Sequence, residues 1–215
     1  MRSCVVIGLG RFGLEVAAEL CKQGCEVLAI DTGSEAVALV ADAVTHAVVA
    51  DGQDKEVLRT LGVGQMDCAI VAIGSDLAAS VLVTMNLKEL GVGHIICKAH
   101  DQVHRRVLEK LGADRVLIPE QDQAVRLARS LSRPNVLDYI ELSEEYGIVE
   151  VPVPTSWEGK DLRQLNVRAK LGVNIIAFRR GGKIQVSPAA DYRICQGDIA
   201  VVLGDSQALK KVQKL

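Results

Sequence analysis

Val5, Val6 and Ile7 run directly into Gly8-Leu9-Gly10-Arg11-Phe12-Gly13, and a helical pattern of apolar residues follows over 14–23 until Gly24 stops it. A second apolar run, Glu26-Val27-Leu28-Ala29-Ile30, ends on Asp31. Strand, glycine turn, helix, strand and acid in this order make up the fingerprint of a dinucleotide-binding βαβ unit. Each residue has a physical task there. Gly8 permits the sharp exit from the strand, Gly10 leaves the backbone open to a phosphate, and Gly13 lets the helix lie close to the sheet. The helix start offers unpaired N–H groups and the positive end of the helix dipole to an anion. Asp31 accepts hydrogen bonds from two ribose hydroxyls.

The same alternation continues. Strands are expected at 46–50, 68–73, 94–98 and 115–118, and helices at 34–42, 55–61, 77–90 and 102–111. The run Cys68-Ala69-Ile70-Val71-Ala72-Ile73 has no polar residue, as a strand buried on both faces requires. Right-handed crossovers turn this order into a Rossmann-type, doubly wound parallel sheet, the α/β class, with ligands bound beyond the carboxyl ends of the strands. The residues at those ends are 8–13, Asp31, Asp51, Ile73, Gly74, Lys98 and Glu120. Asp51 and Glu120 serve either as site residues or as caps of the helices that follow.

After a helix at 122–131 and a break at Ser132-Arg133-Pro134-Asn135, the pattern changes to period two. Half-exposed strands are expected at 139–142 and 148–153, short helices at 161–165 and 167–171, and strands at 173–178, 183–186 and 199–203. A closing helix is expected at 206–214. The expected organisation is a Rossmann domain at 1–120, a connecting helix and linker at 121–138, and a smaller α+β domain at 139–215.

Composition excludes several roles. A net charge of −2 and 3% aromatic residues do not fit a nucleic-acid surface. No apolar run reaches the roughly 18 residues needed to span a bilayer, and Arg2 leads straight into a strand, so no leader is expected. The cysteines Cys4, Cys21, Cys25, Cys68, Cys97 and Cys195 form no CxxC pair and read as reduced and structural. His100 and His104 share a helix face, but no acid or cysteine lies near them in the pattern of a zinc site, and they read as solvated helix histidines.

Beyond the glycine turn, the chain carries Ala43-Val44-Thr45-His46-Ala47-Val48, Val71-Ala72-Ile73-Gly74, the run 108–115 (LEKLGADR), Pro119-Glu120 and Asn166-Val167-Arg168-Ala169-Lys170. With these segments it resembles, over its whole length, the RCK or KTN (TrkA-type) family of regulatory subunits of potassium uptake and conductance systems. That resemblance implies dimers assembled into a cytosolic octameric ring, held at the inner face of the membrane by a membrane-embedded potassium transporter subunit. Nucleotide in the amino-terminal domain changes the ring's shape, ATP activating and ADP inactivating, while some relatives take NAD(H). The matching positions are Gly8, Gly10, Arg11, Phe12, Gly13, Asp31, Asp51, Ala72, Gly74 and Lys98. Arg11 matches an arginine that reaches the terminal phosphate of a neighbour's nucleotide. Glu120 matches an acid that helps hold a divalent or monovalent cation there. The second domain resembles a module that binds cyclic di-AMP in some relatives, with Arg168, Ile175, Ile176 and Ala177 at the matching positions. Gly33 stands where relatives often carry a polar side chain.

The residues support part of this independently. An arginine inside the glycine turn adds a full charge and a bidentate fork, which suits a triphosphate. A carboxylate at Glu120 repels phosphate unless a cation intervenes. Three functions fit the chain: a nucleotide-sensing regulatory subunit, an NAD-dependent dehydrogenase, and a passive assembly module with structural nucleotide. The second lacks a carboxy-terminal histidine to act as acid or base, because all four histidines precede residue 105.

Overall fold

A computed structural model describes residues 2–131, 138–143 and 145–215. The break expected at 132–135 lies outside these residues. The chain divides into two compact units, Met1–Gln121 and Asp122–Leu215.

The first unit runs β1 (Ser3–Ile7), α1 (Arg11–Lys22), β2 (Glu26–Asp31), α2 (Ser34–Val40), β3 (His46–Val49), α3 (Lys55–Thr60), β4 (Cys68–Val71), α4 (Leu77–Glu89), β5 (Ile95–Lys98), α5 (Gln102–Lys110) and β6 (Arg115–Leu117). Its strands form one sheet in the order β3-β2-β1-β4-β5-β6, and every adjacent pair is parallel. The order reverses between β1 and β4, which opens a crevice at their carboxyl ends. Period-two alternation divides the strand residues between two cores. Val5, Ile7, Leu28, Ile30, Ala69 and Val71 pack with Val83, Leu87 and Leu108 from α4 and α5. Cys4, Val6, Val27, Ala29 and Ile70 face the other way, onto Ala17, Val37 and Val40 of α1 and α2. Asp54, Asp76 and Asp101 cap α3, α4 and α5 through their carboxylates.

Two helices start three residues before their apolar periodicity. α1 begins at Arg11 rather than 14, with Gly13 inside its first turn. α6 (Pro119–Leu131) begins at Pro119 rather than 122, because the fixed φ of proline suits the first helical position. Arg11 and Glu120 are therefore first-turn helical residues.

In the second unit β7 (Asp138–Glu141), β8 (Tyr146–Pro152), α7 (Leu162–Leu165), α8 (Val167–Leu171), β9 (Asn174–Arg180), β10 (Lys183–Val186), β11 (Ile199–Asp205) and α9 (Ser206–Val212) follow in order. The sheet β10-β9-β11-β8-β7 is antiparallel. Val149 and Val151 of β8 and Ala200 and Val202 of β11 bury one face against Trp157, Phe178, Ile194 and Leu209, and the residues between them stay half-buried. The carboxylate of Asp198 is fully enclosed. It accepts from Arg180 Nε at 2.6 Å and Nη2 at 2.8 Å, from the Cys195 N–H at 3.0 Å and from the Tyr192 hydroxyl at 3.2 Å. All six cysteines are free, with Cys4, Cys68 and Cys97 buried and Cys195 exposed. Among the described residues no helix is long and apolar enough to cross a membrane.

Candidate functional site

Two adjoining cavities open beyond the carboxyl ends of the first unit's strands. The smaller, about 310 Å³, takes Gly8, Ile30, Asp31, Asp51, Gln53 and Asp76 among its walls. The larger, about 740 Å³, is lined by Arg11, Phe12, Glu15, Lys98, His100 and Glu120. Gly10, Ala72, Gly74 and Ser75 border both. Of the first-unit positions that match the family's nucleotide site, together with Glu120, all but Gly13 thus line one cavity or both.

The glycine turn explains that exception. Gly8 leaves β1 with φ +94°, a left-handed conformation that a side chain strains. A β-carbon on Gly13 would lie 1.9 Å from the Gly8 carbonyl oxygen, so Gly13 shapes the turn without facing the cavity. At Gly10 a β-carbon would meet nothing within 4 Å. There the missing side chain leaves open space for a ligand.

Asp31 organises the smaller cavity. One carboxylate oxygen accepts the Leu9 N–H at 2.6 Å and the other the Gly33 N–H at 2.7 Å. The acid therefore pins the glycine turn to the end of β2, and a carboxylate has lone pairs left for hydroxyl donors. A β-carbon on Gly33 would come within 3.3 Å of Asp31 Oδ1, so the glycine at this position gives the carboxylate room. Asp51 accepts from the Gln53 N–H at 2.9 Å and does not cap α3, a role taken by Asp54. The smaller cavity thus holds three carboxylates, Asp31, Asp51 and Asp76, and no Lys or Arg.

The larger cavity carries the cations. Arg11 projects from the first turn of α1. Lys98 leaves the end of β5, and its ammonium lies 5.7 Å from the Phe12 ring centre and 2.7 Å from Glu120 Oε1. Glu120 is accordingly neither the cap of α6 nor an unpaired acid. The Lys98 ammonium, then its own backbone N–H, and more distantly Arg11 hold its carboxyl below the usual carboxylate range. Among the described residues no group of three or more His, Cys, Asp or Glu side chains is placed to hold a metal. One carboxylate already paired with lysine is too small a donor set for a resident cation.

The reading of His100 and His104 as solvated needs correction. His100 is exposed, but His104 is 4% exposed. Its Nδ1 accepts the His100 N–H at 3.3 Å, and its Nε2 is buried without a hydrogen bond. Burial pushes its pKa below the ordinary histidine value. Glu15, Ser75 and His100 were not singled out from sequence as cavity residues. Glu15 was findable, because it lies one helical turn from Arg11 and so on the same face.

In the second unit Arg168 is exposed on α8, while on β9 Ile175 and Ile176 are half-buried and Ala177 is buried. The helix and the strand pack together, so these positions lie on neighbouring elements.

Comparison with known proteins agrees with the architecture. Residues 4–119 match the TrkA-N domain and residues 147–215 the TrkA-C domain. The chain is 44% identical to Ktr system potassium uptake protein C of Bacillus subtilis (strain 168), covering 97% of this chain and 95% of that one. It is also 44% identical to Ktr system potassium uptake protein A of the same organism, covering 97% and 94%. Among solved structures, the GsuK channel bound to NAD superposes with a TM-score of 0.59 at 23% identity, covering 100% of this chain and 38% of that one, so the chain spans well under half of its length. The chain therefore belongs to the family of paired TrkA-N and TrkA-C domain proteins that includes the Ktr system potassium uptake proteins.

Proposed function

We propose that this chain is the cytosolic nucleotide-sensing subunit of a Ktr-type potassium uptake system, and that its first unit takes ATP or ADP. The observation that carries the reading is the division of charge between the two cavities. The smaller has three carboxylates and no Lys or Arg, while the larger holds both cations, Arg11 and Lys98, alongside Glu15 and Glu120. A nucleotide fits such a pair in one direction only. Its uncharged ribose lies against Asp31, its phosphates cross the open backbone at Gly10, and its terminal phosphate approaches the cations.

No bond need be broken. ATP and ADP differ in charge and length only at the cationic end, so they can favour different assembly shapes by differential binding. Shape then reaches a membrane-embedded potassium transporter through a homo-oligomer, for which the octameric ring of dimers is our expectation. We assign nucleotide binding to 1–120, connection to 121–138, and dimerisation with a second ligand to 139–215. Cyclic di-AMP at Arg168, Ile175, Ile176 and Ala177 is the candidate second ligand. A cation beside the terminal phosphate would need oxygens from the ligand or another copy in addition to Glu120.

NAD(H) is the second reading, because Asp31 and the glycine turn serve its adenosine half equally well. Calorimetric titration with ATP, ADP and NADH, paired with potassium flux into vesicles containing the transporter subunit, tests both. ATP and ADP should bind and shift flux in opposite directions. NADH binding together with oxidation of an added hydroxy acid, its hydride passing to NAD+, would overturn the regulatory reading.

A further inference from the structure

The helix α4 is mostly apolar, and it packs Val83 and Leu87 into the sheet core. Asn86 breaks that pattern. It is 7% exposed, and relative to leucine an asparagine there gives up helix propensity and the hydration of its amide. One bond explains it: Nδ2 donates to the Gln53 carbonyl at 2.8 Å. Gln53 belongs to the turn between β3 and α3, and it lines the smaller cavity together with Asp51. Its own N–H donates to Asp51 Oδ1 at 2.9 Å. Both bonds are made by one residue, so gripping the carbonyl restrains the N–H that aims Asp51. The near end of the turn is seated on the sheet. The Ala50 N–H donates to the Asp31 carbonyl at 2.9 Å, and a β-carbon on Gly52 would come within 2.5 Å of Ile7 Cγ2. Asn86 fixes the far end. Lys55, just beyond it, pairs with Glu89 of α4, but both side chains are partly exposed, where ion pairs contribute little.

We propose that Asn86 is a positioning residue of the smaller cavity: by holding the Gln53 carbonyl it fixes the turn that presents Asp51 to a bound ligand, and so sets the affinity for the adenosine half that AMP, ADP and ATP share. This rests on the reading of the two cavities as a nucleotide site. An acceptor contributes most to binding when it is already held where the ligand's donor will be. Without the Asn86 amide, the Gln53 carbonyl is a partly enclosed acceptor with no donor, and the turn relieves that by rotating toward water. The Gln53 N–H moves with it, and Asp51 gains freedom that binding then has to remove. The phosphates lie toward the other cavity, so their number should not alter the loss. α4 thus serves the smaller cavity twice. Asp76 at its start lines the cavity and caps the helix through the Ala79 N–H at 3.0 Å, while Asn86 near its end acts through Gln53.

The test is calorimetric titration of the full chain with AMP, ADP and ATP, alongside urea unfolding, for wild type, Asn86→Leu, Asn86→Ser, Asp51→Ala and the double variants. Asn86→Leu should weaken all three nucleotides by one common factor of about fivefold, the scale of a single hydrogen bond. Asn86→Ser leaves room for a bridging water and should lose less; it carries the comparison if the leucine variant does not fold. In the Asp51→Ala background Asn86→Leu should cost less than about twofold in affinity, because the group it positions is gone, while still lowering the urea midpoint. Affinities that hold while the midpoint falls, or a loss of equal size in both backgrounds, make Asn86 a structural asparagine only and overturn the proposal with the site reading intact. A loss confined to ATP overturns it in the same way. Wild type that binds none of the three nucleotides overturns the site reading and this proposal together.

Discussion

The carbonyl oxygen of Gly8 occupies the space where a side chain on Gly13 would begin, 1.9 Å from the position of that β-carbon. Gly13→Ala must therefore push α1 away from β1, and overpacking costs about 1–3 kcal/mol, the upper end being expected where rigid backbone is the obstacle. Gly10→Ala meets open space at φ −69°, an ordinary conformation, so its stability should stay within about 0.5 kcal/mol of wild type. Its nucleotide affinity should fall at least tenfold, because the methyl group occupies the phosphate's approach. Urea unfolding and calorimetry on the two variants separate a glycine needed by the fold from one needed by the ligand. Equal destabilisation of both would contradict the assignment.

Asp31 has two tasks, and substitution can divide them. Asp31→Ala strands the Leu9 and Gly33 N–H groups that the carboxylate now accepts, at a cost of about 1–3 kcal/mol. Asp31→Asn keeps one acceptor oxygen and should lose less stability. Either variant should weaken AMP, ADP and ATP by a common factor, since ribose is common to them. A selective loss of ATP would place Asp31 at the wrong end of the ligand.

The order of strands and helices was legible because periodicity reports it directly, and the glycine turn with Asp31 located one end of the site. The pairing of Lys98 with Glu120 was not legible. Twenty-two positions separate the two residues, and only the adjacency of β5 and β6 brings the end of one strand beside the helix that follows the other. The late starts assigned to α1 and α6 share one cause. Apolar periodicity marks where a helix packs, whereas its first turn is set by backbone and capping, which leave a fainter trace. His104 misled for the opposite reason. A polar residue on a helix reads as exposed, and only the fold shows that it is turned inward.

Among the described residues the Arg11 side chain makes no ion pair or hydrogen bond, and it borders the larger cavity from an exposed first-turn position. Its expected target is the far end of the phosphate chain. Arg11→Ala should weaken ATP about tenfold, the worth of one charge-assisted hydrogen bond, and ADP by no more than about twofold. Calorimetry checks the ratio, and equal losses for the two nucleotides would remove Arg11 from the terminal phosphate.

The second unit has its own charge-dependent anchor in Asp198. Arg180 holds that buried carboxyl below the usual carboxylate range, with help from the Cys195 N–H and the Tyr192 hydroxyl. A depressed carboxyl contributes stability that is complete above its unfolded value of about 3.9 and drains away as pH falls through the lower folded value. The network ties β9 to the segment before β11, where Tyr192 also stacks on Phe178 at 4.5 Å between ring centres. Arg180→Ala leaves an enclosed carboxylate without its cation and should cost on the order of 3 kcal/mol at neutral pH. Because that carboxyl then no longer titrates so far below the unfolded value, acid should erode the variant less steeply than wild type below about pH 4. Trp157, the chain's single tryptophan, is buried in the same core, so its fluorescence follows this unit alone. Parallel acid profiles for the two proteins would show that the Arg180–Asp198 pair does not set this unit's acid stability.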